Sequence, residues 1–237
     1  MRLLVYNIHK GIGGRDRRYR LERVIDVIER ENPDLVCLQE VARHTRRSRF
    51  DDQPKLVCER LAPEARLYQM NVHNGHGGYG NLLLSRWSIM EKHHISLQMR
   101  NRKPRGAQLV VVETPEGPLR LVNWHLGLAE RERHWQTERL LTHHLFRQSD
   151  ALPTLIAGDT NDWRNTLCRG QFHLHGFEHV TAPISRHRTF PAYLPVGSLD
   201  KVYARGGLRI RQIRIVRTPL ARVASDHLPL VMDFHLG

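Results

Sequence analysis

Short apolar runs spread along the whole of this chain end, again and again, in a carboxylate, an amide or an imidazole. Asn7 follows Leu3-Leu4-Val5-Tyr6, Glu40 follows Leu35 to Leu38, His125 follows Leu119 to Trp124, and Asp159 and Asn161 follow Thr154 to Ala157. Asp200 stands just before Lys201 to Ala204, and Asp226 and His227 stand just before Leu230 to Phe234. Apolar runs this short, bounded by turn-forming residues, read as buried strands. Rigid strands fix the residues at their ends, so polar groups far apart in sequence converge where strands lie side by side. The pattern demands a sheet-based fold whose strand ends share a rim.

Between these runs the period changes. Leu21, Val24, Ile25 and Ile28 recur at helical spacing, and Pro33-Asp34 stops that helix. A shorter helix is expected around Leu56 to Leu61, and a long one over Ala129 to Arg147 with Leu140, Leu141 and Leu145 as core contacts. Further strands are expected at Leu82 to Trp87, Gln108 to Glu113 and Leu208 to Val216, with Gly206-Gly207 and Pro219 as turn formers. Alternation of strand and helix by itself suggests a doubly wound parallel sheet. The glycine-rich stretches Lys10 to Gly14 and Gly75 to Gly80 lack the lysine-serine ending of a nucleotide-cradling loop and read as flexible rims of a cleft.

A chain of 237 residues with 40% hydrophobic content can bury a real core, and no linker, composition break or repeat divides it, so one domain over 1–237 is expected. The formal charge of +13 favours anionic partners, nucleic acid or a lipid headgroup. Its arginines cluster at Arg15 to Arg23, Arg43 to Arg49, Arg100 to Arg105 and Arg209 to Arg217 with only Tyr19 interleaved, too little for stacking platforms, which equally suits a solvated surface. Cys37, Cys58 and Cys168 are odd in number and widely spaced, which argues against a disulfide framework and for a reducing cytoplasm. No apolar run is long enough to span a bilayer. A soluble monomer is expected.

Taken singly, the polar motifs are weak. Asp and Asn in Gly158-Asp159-Thr160-Asn161-Asp162 suit a turn, and with 16 histidines in the chain one beside Asp226 arises readily by chance. His73, His76, His93, His94, His143 and His144 fall in close pairs, but no HExxH motif is present, and neighbours on a helix point in different directions.

Order and spacing change that. Tyr6-Asn7, Leu38-Gln39-Glu40, Gly80-Asn81-Leu82-Leu83-Leu84-Ser85-Arg86, Asn123-Trp124-His125-Leu126, Gly158-Asp159-Thr160-Asn161, Leu199-Asp200-Lys201-Val202-Tyr203 and Ser225-Asp226-His227 resemble, in sequence order, the motifs of the endonuclease/exonuclease/phosphatase superfamily, to which deoxyribonuclease I belongs. Thr160 stands where phenylalanine is frequent, as in a tyrosyl-DNA phosphodiesterase branch, whereas Asp162-Trp163-Arg164 and Thr189-Phe190-Pro191 are more similar to small bacterial members. The resemblance overrides the doubly wound reading. It implies a DNase I-like four-layer α/β sandwich of two packed mixed sheets flanked by helices, with the site at one end.

It also implies a phosphoester hydrolase dependent on Mg²⁺ or Mn²⁺, hard cations suited to oxygen ligands. Glu40, with Asn7 and Asp226, would hold the metal. Asp159 would orient or deprotonate the attacking water, Asn161 would hold that water or a phosphate oxygen, and His227, oriented by Asp200, would face the phosphate. His125 would assist the leaving group, and Asn81 and Arg105 are further phosphate-binding candidates. Nucleic acid is the expected substrate. A phospholipid or phosphoinositide headgroup is the alternative, with Phe190, Tyr193 and Leu194 near the mouth, and a basic nucleic-acid-binding module without chemistry is a third.

Overall fold

The computed structural model describes residues 1–148 and 151–237. Its strands form two six-stranded sheets. The first contains β1 (Arg2–Asn7), β2 (Leu35–Arg43), β3 (Ala65–Asn74), β4 (Gly77–Ser85), β11 (Leu208–Ile215) and β12 (Leu230–Leu236), in the order β11-β12-β1-β2-β4-β3. The second contains β5 (Ile89–Ser96), β6 (Gly106–Thr114), β7 (Gly117–His125), β8 (Thr154–Asp159), β9 (Glu178–His179) and β10 (Asp200–Arg205), in the order β5-β6-β7-β8-β10-β9. Each sheet is antiparallel except for one parallel pair, β1 with β2 and β7 with β8. Parallel neighbours need a crossover. Helix α1 (Leu21–Glu31) supplies the first, and α2 (Glu130–Leu141) with α3 (His144–Gln148) supplies the second.

Strand side chains alternate between faces, and the two core clusters follow that alternation. On β7, Leu119 and Leu121 belong to the core between the sheets, whereas Val122 and Trp124 pack with Leu140, Leu141 and Phe146 beneath the crossover helices. On β8, Leu155 and Ala157 face the other sheet and Ile156 faces the helices. Continued by two, the inward row of β7 ends in Asn123 and His125, that of β8 in Asp159 and that of β1 in Asn7; read towards the start of β10, Ala204 and Val202 lead to Asp200. The same period that buries the core therefore delivers the polar groups to one end of the sandwich. Each fully buried Leu, Val or Ile in these rows contributes about 1.5–3 kcal/mol through apolar burial, so the register that aims the polar ends is strongly enforced.

Beneath that end a buried amide network joins the sheets. Asn123 Nδ2 donates to the carbonyls of Leu38 and Leu82 at 3.1 Å each and to Gln108 Oε1 at 2.8 Å, while Gln39 Nε2 donates to Asn123 Oδ1 at 2.8 Å. These carbonyls belong to the last paired residues of β2 and β4 before the register shifts between Leu38 and Val41. Asn123 thus serves backbone acceptors at the point where the ladder is interrupted.

Several expectations are corrected. Gly75 to Gly80 is no flexible rim: β4 begins at Gly77, and only the tip at Gly75-His76 turns. An alanine Cβ would lie 2.0 Å from the Val72 carbonyl oxygen at Gly78 and 1.8 Å from that of Gln69 at Gly80, so these glycines permit close strand pairing. Lys10 to Gly14 is packed too, since a Cβ at Gly14 would lie 2.6 Å from the Cα of Asp226. The long helix breaks after Leu141, which shifts its phase. Phe146 becomes the buried residue and Leu145 is left half-buried. At that break the rings of His143 and His144 stack 4.6 Å apart instead of diverging. Strands β3, β5 and β9 were not expected, because their mixed, half-exposed sequences carry little apolar alternation. Among the described residues, no helix is long and apolar enough to cross a membrane.

Gly80→Ala should cost about 1–3 kcal/mol of stability through overpacking, read as a lowered denaturant midpoint. Gly75→Ala meets nothing within 4 Å and carries only the penalty of its φ of +60°, about 1–2 kcal/mol. Equal midpoints for Gly80→Ala and wild type would contradict the close strand approach.

Candidate active site

Three of the inward rows end side by side. His125 is the register partner of Asp159 in the parallel pair β7–β8, and Asp159 is the partner of Asp200 in the antiparallel pair β8–β10. His227, in the turn before β12, reaches across from the first sheet. Its Nδ1 lies 2.8 Å from Asp200 Oδ2 and its Nε2 lies 3.7 Å from Asp159 Oδ2. The first distance is a hydrogen bond and the second is too long for one, so the Nε2–H stays available to a substrate oxygen. Ser225 Oγ anchors this turn by donating to the Asn7 carbonyl at 2.7 Å.

Asp159 is held from three sides. Asn7 Nδ2 donates to its Oδ2 at 2.9 Å, the Asn161 backbone N–H donates to its Oδ1 at 3.0 Å, and His125 Nε2 lies 3.4 Å from its Oδ2. Asn161 has a left-handed φ of 51°, which asparagine tolerates better than most residues, and its Nδ2 contacts the Leu126 carbonyl at 2.9 Å and His125 Nε2 at 3.2 Å. Thr160 fills its buried position by donating to the Leu199 carbonyl through Oγ1 at 2.8 Å.

The environment separates the two histidines. Burial opposes charge on His227, but the carboxylates of Asp200 and Asp159 outweigh it and raise its pKa to about 10. Burial lowers that of His125 well below the ordinary value, and the nearby charges of Arg105 and His227 add to the effect. At neutral pH the first is an imidazolium and the second a neutral ring. Burial, with the charge of Asp200, also raises Asp159 above the usual carboxylate range, against the opposing pull of His227.

Glu40 reaches the site by another route. It lies where the β2–β4 register shifts, with φ of +56°, and a bulge of this kind re-aims a side chain that strict alternation would send elsewhere. Its carboxylate forms an ion pair with the Lys10 ammonium. Burial would raise its pKa, but the charge and hydrogen bond of Lys10 prevail and lower it, so Glu40 is ionised. Asp226 instead faces His9, whose Nδ1 is 3.6 Å away, so the two carboxylates expected to hold a metal have different partners.

Of the two phosphate-binding candidates, Asn81 is committed through Nδ2 to the Gly106 carbonyl at 3.0 Å, bridging β4 and β6. Arg105 is buried with its Nε lacking a partner, and it lines a small cleft with Glu40, Tyr79 and His125. Lys10 was not anticipated as a site residue. Neither was the buried cluster behind Asn161, where Lys201 Nζ donates to the Asp162 carbonyl and its ammonium lies 3.5 Å from Asp162 Oδ2, with Arg133 on the other carboxylate oxygen at 3.8 Å. The available signal was a lysine, Lys201, at the head of the apolar run Val202 to Ala204. Among the described residues, no three of His, Cys, Asp or Glu gather as a metal-binding group, the paired histidines included.

Residues 4–227 match the model of the Endonuclease/Exonuclease/phosphatase family. The chain belongs to this family. The uncharacterized protein YbhP of Escherichia coli K12 is 28% identical over 99% of this chain and 96% of its own. Among solved structures, an endonuclease/exonuclease/phosphatase from Beutenbergia cavernae is similar with a TM-score of 0.82 and 22% identity, covering 100% of this chain and 72% of that one. The mannosyl-6-phosphatase Bt3783 of Bacteroides thetaiotaomicron superposes with a TM-score of 0.76 at 15% identity, over 99% of both chains. These likenesses establish the family's two-sheet sandwich as the fold.

His227 should give the NMR signature of an imidazolium at pH 8. Since Asp200 is the foremost charge raising its pKa, Asp200→Asn should shift the titration downward, so that the ring is neutral at alkaline pH where the wild-type ring is still charged. An unshifted titration would refute this pairing.

Proposed function

We propose that this protein is a divalent-metal-dependent phosphoesterase that hydrolyses phosphodiester bonds in nucleic acid. The observation that carries the reading is the convergence of Asp159, Asn161, His125 and the His227–Asp200 pair at one end of the sandwich, with Asn7 and Glu40 adjoining. Hydrolysis of a phosphodiester needs an activated water, relief of charge on the phosphoryl oxygens and help for the leaving oxygen.

Asp159, an acceptor beside the cleft, orients the water and takes its proton. The Asn161 amide fixes a water or phosphoryl oxygen. His227 donates its Nε2–H to a phosphoryl oxygen, and Asp200 keeps that imidazolium charged and aligned. His125, neutral and next to Arg105, binds the phosphate or leaving oxygen by hydrogen bonding.

Glu40 and the Asn7 amide oxygen offer hard oxygen donors of the kind Mg²⁺ and Mn²⁺ prefer, with few carboxylates. That Glu40 already carries a cation, the Lys10 ammonium, fits a station for positive charge. A bound Mg²⁺ or Mn²⁺ would supply Lewis-acid stabilisation of the phosphoryl group.

The substrate class rests on a groove adjoining the site. Lys10, His44, Arg46, Arg47 and Lys103 line it with Phe50 and Tyr79, and among the described residues no acidic one does. Within the arginine clusters of the sequence only Tyr19 is aromatic, yet folding brings Tyr79 of β4 into the groove of Arg46 and Arg47. Cations beside the exposed ring of Phe50 suit a nucleic-acid strand. A second reading, a phospholipid headgroup, draws on the apolar residues beside His227, where Phe190 packs on its ring with centroids 4.9 Å apart and Trp163, Tyr193 and Leu194 are exposed. The fold itself does not choose between substrates.

Mg²⁺-dependent nicking of supercoiled plasmid is expected, abolished by excess EDTA. His227→Ala and Asp159→Ala should each slow it by about 10²–10³-fold or more while still unfolding cooperatively, with a lowered midpoint in His227→Ala, which leaves Asp159 and Asp200 without their shared cation. Wild-type rates in either variant would sink the assigned roles. Cleavage of lipid headgroup substrates without plasmid nicking would favour the second reading, and no cleavage of either would favour a binding module.

A further inference from the structure

The cation beside Glu40 is built into the chain in an unusual way. His9, Lys10 and Gly11 are successive residues with φ of 45°, 60° and 71°, a left-handed run that side-chain-bearing residues rarely adopt. The surrounding structure clamps this backbone. His9 N–H donates to Asn7 Oδ1 at 3.0 Å, Gln53 Nε2 donates to the Lys10 carbonyl at 2.7 Å, and Gly11 N–H donates to the Ile8 carbonyl at 2.8 Å. The root of the Lys10 side chain is therefore fixed, and only the rotatable bonds of its four-carbon stem can move the ammonium. Its ammonium pairs with Glu40 and lies 4.5 Å from the centroid of the Tyr79 ring. Lys103 approaches the same ring at 5.1 Å, and the groove beyond carries Arg46 and Arg47. Away from Glu40, Lys10 faces the Tyr79 ring and a groove in which, among the described residues, cations and no carboxylates stand, so an incoming anion is its alternative partner.

We propose that Lys10 is the resident counter-ion of Glu40, displaced from it by the divalent cation and then taken up by the substrate's phosphate. Two cations sharing one carboxylate repel each other, so the ammonium and the metal compete. A phosphate in the groove gives the displaced ammonium a new partner, which links metal entry to anion binding with positive coupling. Lys10 is then a substrate-binding residue as well as a brake on metal occupancy. The inference rests on the phosphoesterase reading for the identity of the anion, but the competition at Glu40 is independent of turnover.

The test measures Mn²⁺ binding to the full chain by the loss of the free-ion electron paramagnetic resonance signal, with no substrate present. Lys10→Met and Lys10→Gln, which remove the charge, should bind Mn²⁺ about tenfold more tightly than wild type, within the usual range of a coupling between sites. Lys10→Arg, which keeps the charge, should stay near wild type, and Glu40→Gln should lose the site. Two neutral variants guard against one that fails to fold, as judged by its thermal transition. Unchanged or weaker Mn²⁺ binding in the folded neutral variants would overturn the proposal, as would retention of Mn²⁺ by Glu40→Gln. Tight binding with this pattern but no phosphoester cleavage would instead defeat the functional reading and leave the competition standing.

Discussion

Carboxylates buried among apolar strands are costly unless they are paired and hydrogen-bonded, and the open end of this sandwich is organised around meeting that cost for Asp159 and Asp200. The two acids are cross-strand partners on β8 and β10, so their like charges add to the penalty of burial. His227 resolves it by carrying a proton between them, donated from the opposite sheet, and Asn7 adds an amide hydrogen bond from the same direction. Neither sheet could keep its polar end without the other. What holds the charges in place also holds the sheets together at that end.

The geometry below the site is equally conditional. Glu40 reaches the cleft only because β2 bulges, and the bulge interrupts the ladder to β4. The side chain of Asn123 serves the Leu38 and Leu82 carbonyls there, and Gln39 and Gln108 complete its own hydrogen bonds. A polar network in a core is tolerated when its members are nearly all satisfied, and among these amides Gln39 Oε1 alone lacks a partner. Here it permits the irregularity that aims a carboxylate.

Much of this was legible in the sequence, for a definite reason. Strands buried on both faces are written as unbroken apolar runs, and the polar residue that ends such a run is conspicuous, so Asn7, His125, Asp159 and Asp200 stood out before any coordinates. The arrangement of two sheets came from resemblance to a family, since alternating strands and helices alone pointed to one parallel sheet. Half-exposed strands such as β3 and β5 left little trace because their residues answer to solvent on one side. Lys10 escaped notice because its place depends on a left-handed turn. Of the aromatic companions of Arg46 and Arg47, Phe50 lies just beyond their cluster in sequence, whereas Tyr79 escaped because it arrives from another strand. Asn81 was legible as a motif residue, yet its amide bridges two strands.

The shared row of His125, Asp159 and Asp200 across β7, β8 and β10 has a consequence for how such a protein can fail. A slip of β8 by one residue would turn Asp159 towards the helices and Leu155 and Ala157 with it, so the chain has no route to a misaligned centre that leaves its interior sound. Proofreading of the reactive geometry is thereby delegated to hydrophobic packing. Errors in strand alignment are discarded as unstable molecules before they can persist as inert ones.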